Sequence, residues 1–174
     1  EIIPSACWAD AREEARDMID LSVETDLQGY DINPAAIAAA RENARLAGVE
    51  KLIHFQTRPI SALSHPKKYG FIITNPPYGE RLSPGSEALT ETDLTDEARA
   101  RVNTSALHDL YETLGERFRA LDTWSMYVIT AYDQAESGIG LRSSKNRKIY
   151  NGMMKTYFYE YAGPKPPKSG GKRP

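Results

Sequence analysis

Phe71-Ile72-Ile73-Thr74 is a continuous run of aromatic and β-branched residues, and Asn75-Pro76-Pro77-Tyr78 follows it at once. Such a run, without polar alternation, reads as a strand buried on both faces, as in a parallel sheet. The two prolines fix the backbone beyond it, so Asn75 is held with little freedom. A strand of this kind needs layers above and below, which points to an α/β architecture.

The rest of the chain supplies those layers. A helix is expected from Ser5 to Ile19, with Trp8, Ala11, Ala15, Met18 and Ile19 on one face. Leu27-Gln28-Gly29-Tyr30-Asp31 reads as a strand ending on an acid. Asn33 then suits an N-cap and Pro34 a first helical position, ahead of a helix over Ala35–Ala47. Gly48 suits the left-handed position that closes it. Leu52–Phe55 is a strand candidate, and a polar crossover leads from it to Tyr69.

Glu80–Ser105 is a long polar stretch with five acids between Glu87 and Glu97, and a short helix over Thr95–Val102 is expected inside it. Its Ser83–Ser105 part is either a lid over the substrate or, the favoured reading, a flexible insert. Leu107, Leu110, Tyr111, Leu114, Phe118 and Leu121 make one helical stripe. Trp124–Thr130 is a further strand. Strands near Lys148–Tyr150 and over Lys155–Tyr161 flank Asn151-Gly152, a strong hairpin signal. The tail, Gly163–Pro174, is rich in Pro, Gly and Lys and reads as disordered. Strands alternating with helices imply a mainly parallel sheet, closed by an antiparallel hairpin.

Composition narrows the function classes. The 174 residues suit one domain large enough to need no disulfide staples. The net charge of −2 argues against a globally basic nucleic-acid clamp and leaves a local patch open. Lys145, Arg147 and Lys148, with Lys165, Lys168, Lys172 and Arg173, either contact RNA phosphates or simply keep the surface soluble. Cys7 is the one cysteine, expected as a buried small residue; a lone thiol fits a reducing cytoplasm. No stretch approaches the ~20 apolar residues of a membrane helix. His54 is expected to be packed in its strand. His65 and His108 have no metal-ligand spacing with other groups, so no metal is expected.

In a parallel sheet, ligands bind outside the carboxyl ends of the strands. Two such ends carry unusual polar chemistry. Asp31 either holds ribose hydroxyls or caps the helix that follows. Asn75 offers an amide oxygen and an amide NH2 side by side. That oxygen and the Pro76 carbonyl can accept both protons of an exocyclic amino group, which turns the nitrogen lone pair toward an electrophile. Tyr78 can stack on the base. The bland alternative is a rigid turn after a strand.

Asn-Pro-Pro-Tyr after a strand resembles the motif of S-adenosylmethionine-dependent methyltransferases acting on base amino groups. The resemblance narrows with Tyr30-Asp31-Ile32-Asn33-Pro34, Ala40-Arg41-Glu42-Asn43-Ala44, Ala47-Gly48-Val49 and Ile73–Leu82. It extends to Asn146-Arg147-Lys148-Ile149-Tyr150-Asn151-Gly152 and Gly163-Pro164-Lys165-Pro166-Pro167. Together these resemble the catalytic domain of the THUMP-associated 23S rRNA guanine-N2 methyltransferases, a family often labelled N6-adenine DNA methylase.

The resemblance implies a Rossmann-like class I methyltransferase fold with S-adenosylmethionine as cofactor and RNA, 23S rRNA above all, as partner. It implies that Asp31 binds the cofactor ribose and that Ile32 lies by the adenine. Asn75 serves the cofactor and base sites together, Asn75 with Pro76 and Pro77 holds the amino group, and Tyr78 stacks. Methyl transfer is then an in-line displacement that depends on positioning.

Three departures shape further expectations. In the family a Gly-rich loop precedes a helix like Ser5–Ile19, and here only Glu1–Pro4 stands before it. The expected domain, 1–162, is therefore N-terminally incomplete, with its first strand missing. The parent protein is expected to supply the loop and a THUMP segment, and this chain alone to bind cofactor poorly. A missing central strand leaves a gap of ~9.6 Å, two strand spacings. Second, Gln56-Thr57-Arg58-Pro59 lacks the carboxylate usual at the next strand end. Third, Ser83–Ser105 is longer than the usual link. Two other readings stay open: N6-adenine methylation of DNA, and a non-catalytic RNA-binding relic.

Overall fold

The computed structural model describes residues 4–20, 22–78 and 96–167. They fall into two compact units, one ending at Thr57 and one beginning at Arg58, each described here by itself.

The first unit holds helix α1 (Ser5–Asp17), strand β1 (Leu27–Asp31), helix α2 (Pro34–Leu46) and strand β2 (Ile53–Thr57). β1 and β2 pair in parallel, with Asp31 opposite Thr57. The local signals that bound α2 act as the sequence leads one to expect. The Asn33 side chain accepts the Ala35 N–H at 2.9 Å, and Pro34 follows it. Gly48 takes φ +72°, while the Gly48 and Val49 N–H groups donate to the Arg45 and Ala44 carbonyls. That pairing is a Schellman closure, in which only glycine avoids a Cβ penalty. α2 buries Ile37 and Ala44. Arg41 donates to the Phe55 carbonyl and ties α2 to β2.

α1 departs from expectation. None of its residues is buried, and Trp8, Met18 and Ile19 are all more than half exposed. Its periodicity makes an apolar face, but no described residue of the unit covers that face. Cys7 is exposed, not buried, for the same reason. His54 is also exposed: it alternates with half-buried Ile53 and Phe55 on a strand covered on one side.

The second unit is built on a four-stranded sheet of order β3-β4-β6-β5. These strands are β3 (Phe71–Thr74), β4 (Ser125–Thr130), β5 (Lys145–Asn151) and β6 (Met154–Tyr161). β3 and β4 are parallel; β6 runs antiparallel to β4 and to β5. Gly152, at φ +61°, makes the expected turn between β5 and β6. Helix α3 (Asp96–Arg119) and the short helix α4 (Ala135–Ile139) pack on one sheet face. The core there joins Ile72, Leu107, Tyr111, Leu114, Met126, Val128 and Ile139. Among the described residues no strand pairs with the second edge of β1 or of β3.

The expectation of a strand buried on both faces fails for β3. Ile72 is buried, but Phe71 and Ile73 are 68% and 81% exposed. The described helices of this unit cover only the face that Ile72 shares. On the other face Tyr127 lies between Phe71 and Phe158, with ring centroids 6.2 and 5.9 Å away.

The separate short helix and the later stripe are one helix, α3, of 24 residues. No glycine or proline interrupts it before Gly115, so the packed end propagates through Ala98, Ala100 and Val102. Of the Ser83–Ser105 stretch, Asp96–Ser105 is therefore helical, and residues 83–95 lie outside those described. The tail begins tethered: the Gly163 N–H donates to Ser125 Oγ at 3.0 Å. Residues 168–174 lie outside the description. No helix among the described residues is long and apolar enough to cross a membrane.

Gly115 lets α4 approach α3. A Cβ there would stand 2.1 Å from the Ile139 carbonyl oxygen, which is backbone and cannot swing away. Gly115→Ala is expected to destabilise the protein by about 2 kcal/mol, as overpacking does. Urea unfolding checks this, and an unchanged midpoint contradicts it.

Candidate active site

Asp31 ends β1, and its neighbours decide what its carboxylate is free to do. Oδ1 accepts the Asn33 N–H at 2.7 Å. Asn33, not Asp31, caps α2. The capping reading of Asp31 thus assigns it a task that Asn33 performs. Its Oδ2 has no hydrogen-bond partner among the described residues. A carboxylate accepts through both oxygens, so a ligand hydroxyl has a charged acceptor here. Ile32 beside it is 73% exposed, an apolar surface open to a flat ring.

In the second unit, Asn75-Pro76-Pro77-Tyr78 leaves the carboxyl end of β3. Asn75 and Pro77 are exposed, Pro76 is buried and Tyr78 is half-buried. The loop is therefore anchored by one proline while its amide faces outward. The register places Thr74 against Val128, so the loop emerges level with the last residues of β4.

A hydroxyl chain holds the loop from below. The Tyr132 N–H donates to Thr130 Oγ1 at 3.0 Å, and Thr130 Oγ1 lies 2.5 Å from the Tyr111 hydroxyl. The Tyr111 hydroxyl donates to the Pro77 carbonyl at 3.5 Å, a long contact. A hydroxyl has one proton, so Tyr111 spends its own on Pro77 and receives that of Thr130. Each hydroxyl then donates once and accepts once, an arrangement in which neighbouring bonds polarise one another. Tyr111 and Thr130 are both fully buried, which makes an unpaired hydroxyl costly. The Tyr132 ring packs 5.0 Å from that of Tyr111.

Sequence reading places Asn75, Pro76, Pro77 and Tyr78 together by chain adjacency, and the structure adds Tyr111 and Thr130 to them. Tyr111 was visible only as a member of the α3 stripe. The signal that could have marked it is its hydroxyl, the one such group among that stripe's apolar residues. Asp31 and Ile32 belong to the other unit. A cavity of about 350 Å³ walled by Tyr69, Phe71, Tyr127 and Pro164 lies at the amino ends of β3 and β4. No residue of the Asn75–Tyr78 loop lines it.

The family model of the RMKL-like methyltransferase domain matches residues 2–97, which span Asp31 and the whole Asn75–Tyr78 loop. The chain belongs to that family. Over 161 residues it is 30% identical to YpsC of Bacillus subtilis (strain 168), named there as a candidate RNA methyltransferase. Over 160 residues it is 31% identical to the ribosomal RNA large subunit methyltransferase K/L of Shewanella baltica (strain OS185). These alignments take in 92% and 90% of this chain but only 37% and 20% of the relatives.

Among solved structures, SMU.472, described as a candidate methyltransferase and crystallised with SAH, superposes with a TM-score of 0.73 at 30% identity. That match covers 95% of this chain and 39% of that one. The RMKL-like domain thus has the class I methyltransferase fold, and S-adenosylmethionine is its family's cofactor.

Burial holds the Tyr111 hydroxyl neutral, with its pKa pushed up to about 12, and pushes that of Tyr161 up as well. An unfolded tyrosine ionises near 10. The native state therefore keeps these protons longer, and its stability falls as pH rises from about 10 through 12. Absorbance titration should show late-ionising tyrosines whose ionisation coincides with unfolding. Tyr111→Phe should remove one late step and cost about 1 kcal/mol at neutral pH. Uniform ionisation near pH 10 in the folded protein would contradict this.

Proposed function

We propose that the chain is the catalytic domain of an RNA methyltransferase that methylates an exocyclic base amino group, guanine N2 of 23S rRNA. The observation that carries this reading is the Asn75–Tyr78 loop at the carboxyl end of β3, with Asn75 outward and Pro76 buried. The Asn75 amide oxygen and the Pro76 carbonyl would accept the two amino protons of the base. Tyr78 would stack on its face. Both acceptors are neutral, so they position the nitrogen and do not remove a proton in advance. The surplus proton would pass to water after transfer.

The cofactor fits the groups present. Asp31 has an uncommitted carboxylate oxygen for the ribose, and Ile32 has an exposed apolar surface for the adenine. Bound S-adenosylmethionine supplies a methyl group on a sulfonium, already electrophilic. Asn75 would serve both sites by holding the amino nitrogen toward that methyl. RNA is preferred to DNA because both curated relatives named above carry RNA methyltransferase names.

On this reading the parent protein adds the Gly-rich cofactor loop and a THUMP segment, and works in the cytoplasm. Among the described residues no strand pairs with the outer edge of β3, and the strand bearing that loop would seat there.

The test uses the full-length protein with labelled S-adenosylmethionine, rRNA from a strain lacking the gene, and duplex DNA. Nucleoside mass spectrometry should find N2-methylguanosine in the RNA and nothing in the DNA. Transfer to DNA alone, or to neither, would overturn the proposal.

A further inference from the structure

The β5–β6 hairpin is placed by the sheet register at the same edge as the Asn75–Tyr78 loop. β5 and β4 are both antiparallel to β6, so β5 runs parallel to β3 and β4 and its carboxyl end points to the same sheet edge as theirs. Thr130, the last residue of β4, pairs with Tyr157. β6 begins three residues earlier, at Met154, paired with Asn151. At ~3.3 Å per residue, the hairpin projects about 10 Å beyond the end of β4, before its turn.

The projecting part carries an unusual surface. Lys148 pairs with Tyr157, and Tyr150 pairs with Lys155. Strand alternation puts these four side chains on one face, as a checkerboard of two lysines and two tyrosines. Lys155 Nζ lies 4.9 Å from the centre of the Tyr157 ring. Tyr150 is 69% exposed and Met153 at the tip fully so.

Between Lys145 and Tyr161 there are four cations and one carboxylate, in a chain whose net charge is −2. That carboxylate, Glu160, sits opposite Lys145 at the far end of the hairpin. No ion pair involves Lys148 or Lys155 among the described residues. A basic projection with an open aromatic ring suits a nucleic-acid strand, which offers phosphates and stackable bases together. An acidic protein partner would use the lysines and leave the exposed ring without a purpose.

We propose that the face bearing Lys148, Tyr150 and Lys155 grips the single-stranded RNA flanking the target base, through phosphates on the lysines and a base on Tyr150. This rests on the RNA methyltransferase reading above and adds the surface that would present the strand to Asn75.

The experiment titrates a fluorescently labelled single-stranded RNA of ~20 nucleotides into the full chain between about 50 and 200 mM salt. Three proteins are compared: the wild type, the Lys148→Ala/Lys155→Ala double variant and Tyr150→Ala. All three side chains are exposed, so thermal unfolding should match in all three. The double variant should bind about tenfold more weakly, with a salt slope lower by about 1.4, or ~0.7 per lost phosphate contact. Tyr150→Ala should bind about tenfold more weakly with an unchanged slope.

Wild-type affinity and slope in both variants would overturn the proposal, as would a wild type that binds no RNA. Methyl transfer to rRNA by the full-length protein is measured beside this. Transfer with insensitive variants sinks the hairpin and spares the activity. Hairpin-dependent binding without transfer by any protein sinks the activity and spares the hairpin.

Discussion

Tyr111 has one hydroxyl proton, and the loop after β3 depends on where that proton goes. The Thr130 hydroxyl, 2.5 Å away, can supply its own proton because it already accepts the Tyr132 N–H. That frees Tyr111 to reach the Pro77 carbonyl on the far side of Asn75. A helix, the end of a strand and the candidate active-site loop are thus joined through two buried hydroxyls. Neither hydroxyl can be lost without leaving a polar atom unpaired in the core. The parallel register of β3 on β4 brings these groups to one level, and the burial of Pro76 turns the Asn75 amide outward.

The end of β1 shows a comparable division of labour in the first unit. Asn33 satisfies the start of α2, so Asp31 has only to stabilise the turn with one oxygen. Two polar residues, Asp31 and Asn33, that look interchangeable in the sequence therefore have different freedom. On the proposed reading, that free carboxylate oxygen and the exposed Ile32 beside it would receive the adenosine part of the family's cofactor.

Much of this was legible in the sequence where the signal is local. Asn33-Pro34 and Gly48 mark the ends of α2, and Asn151-Gly152 marks the hairpin, because caps and turns are decided within a few residues. The Asn75–Tyr78 loop was legible for the same reason. Burial was not. Phe71 and Ile73, Trp8, Cys7 and His54 were all expected inside, and they are exposed because burial depends on what packs against a face. α4 escaped notice because a helix of five residues is too short to show a period. Tyr111 was seen as one more apolar residue; its hydrogen bonds join residues 19 and 34 positions away, which no local pattern records.

The central claim is that Asn75, held outward by this scaffold, positions the accepting nitrogen during methyl transfer. The most direct measurement is the single-turnover transfer rate of Asn75→Ala in the full-length protein, with saturating cofactor and RNA. The account predicts a rate lower by about 10²-fold, the scale of losing one preorganised polar contact at a reacting centre, with RNA affinity and thermal stability unchanged. A rate within about threefold of the wild type would contradict it, since so small a change is under 1 kcal/mol of transition-state stabilisation.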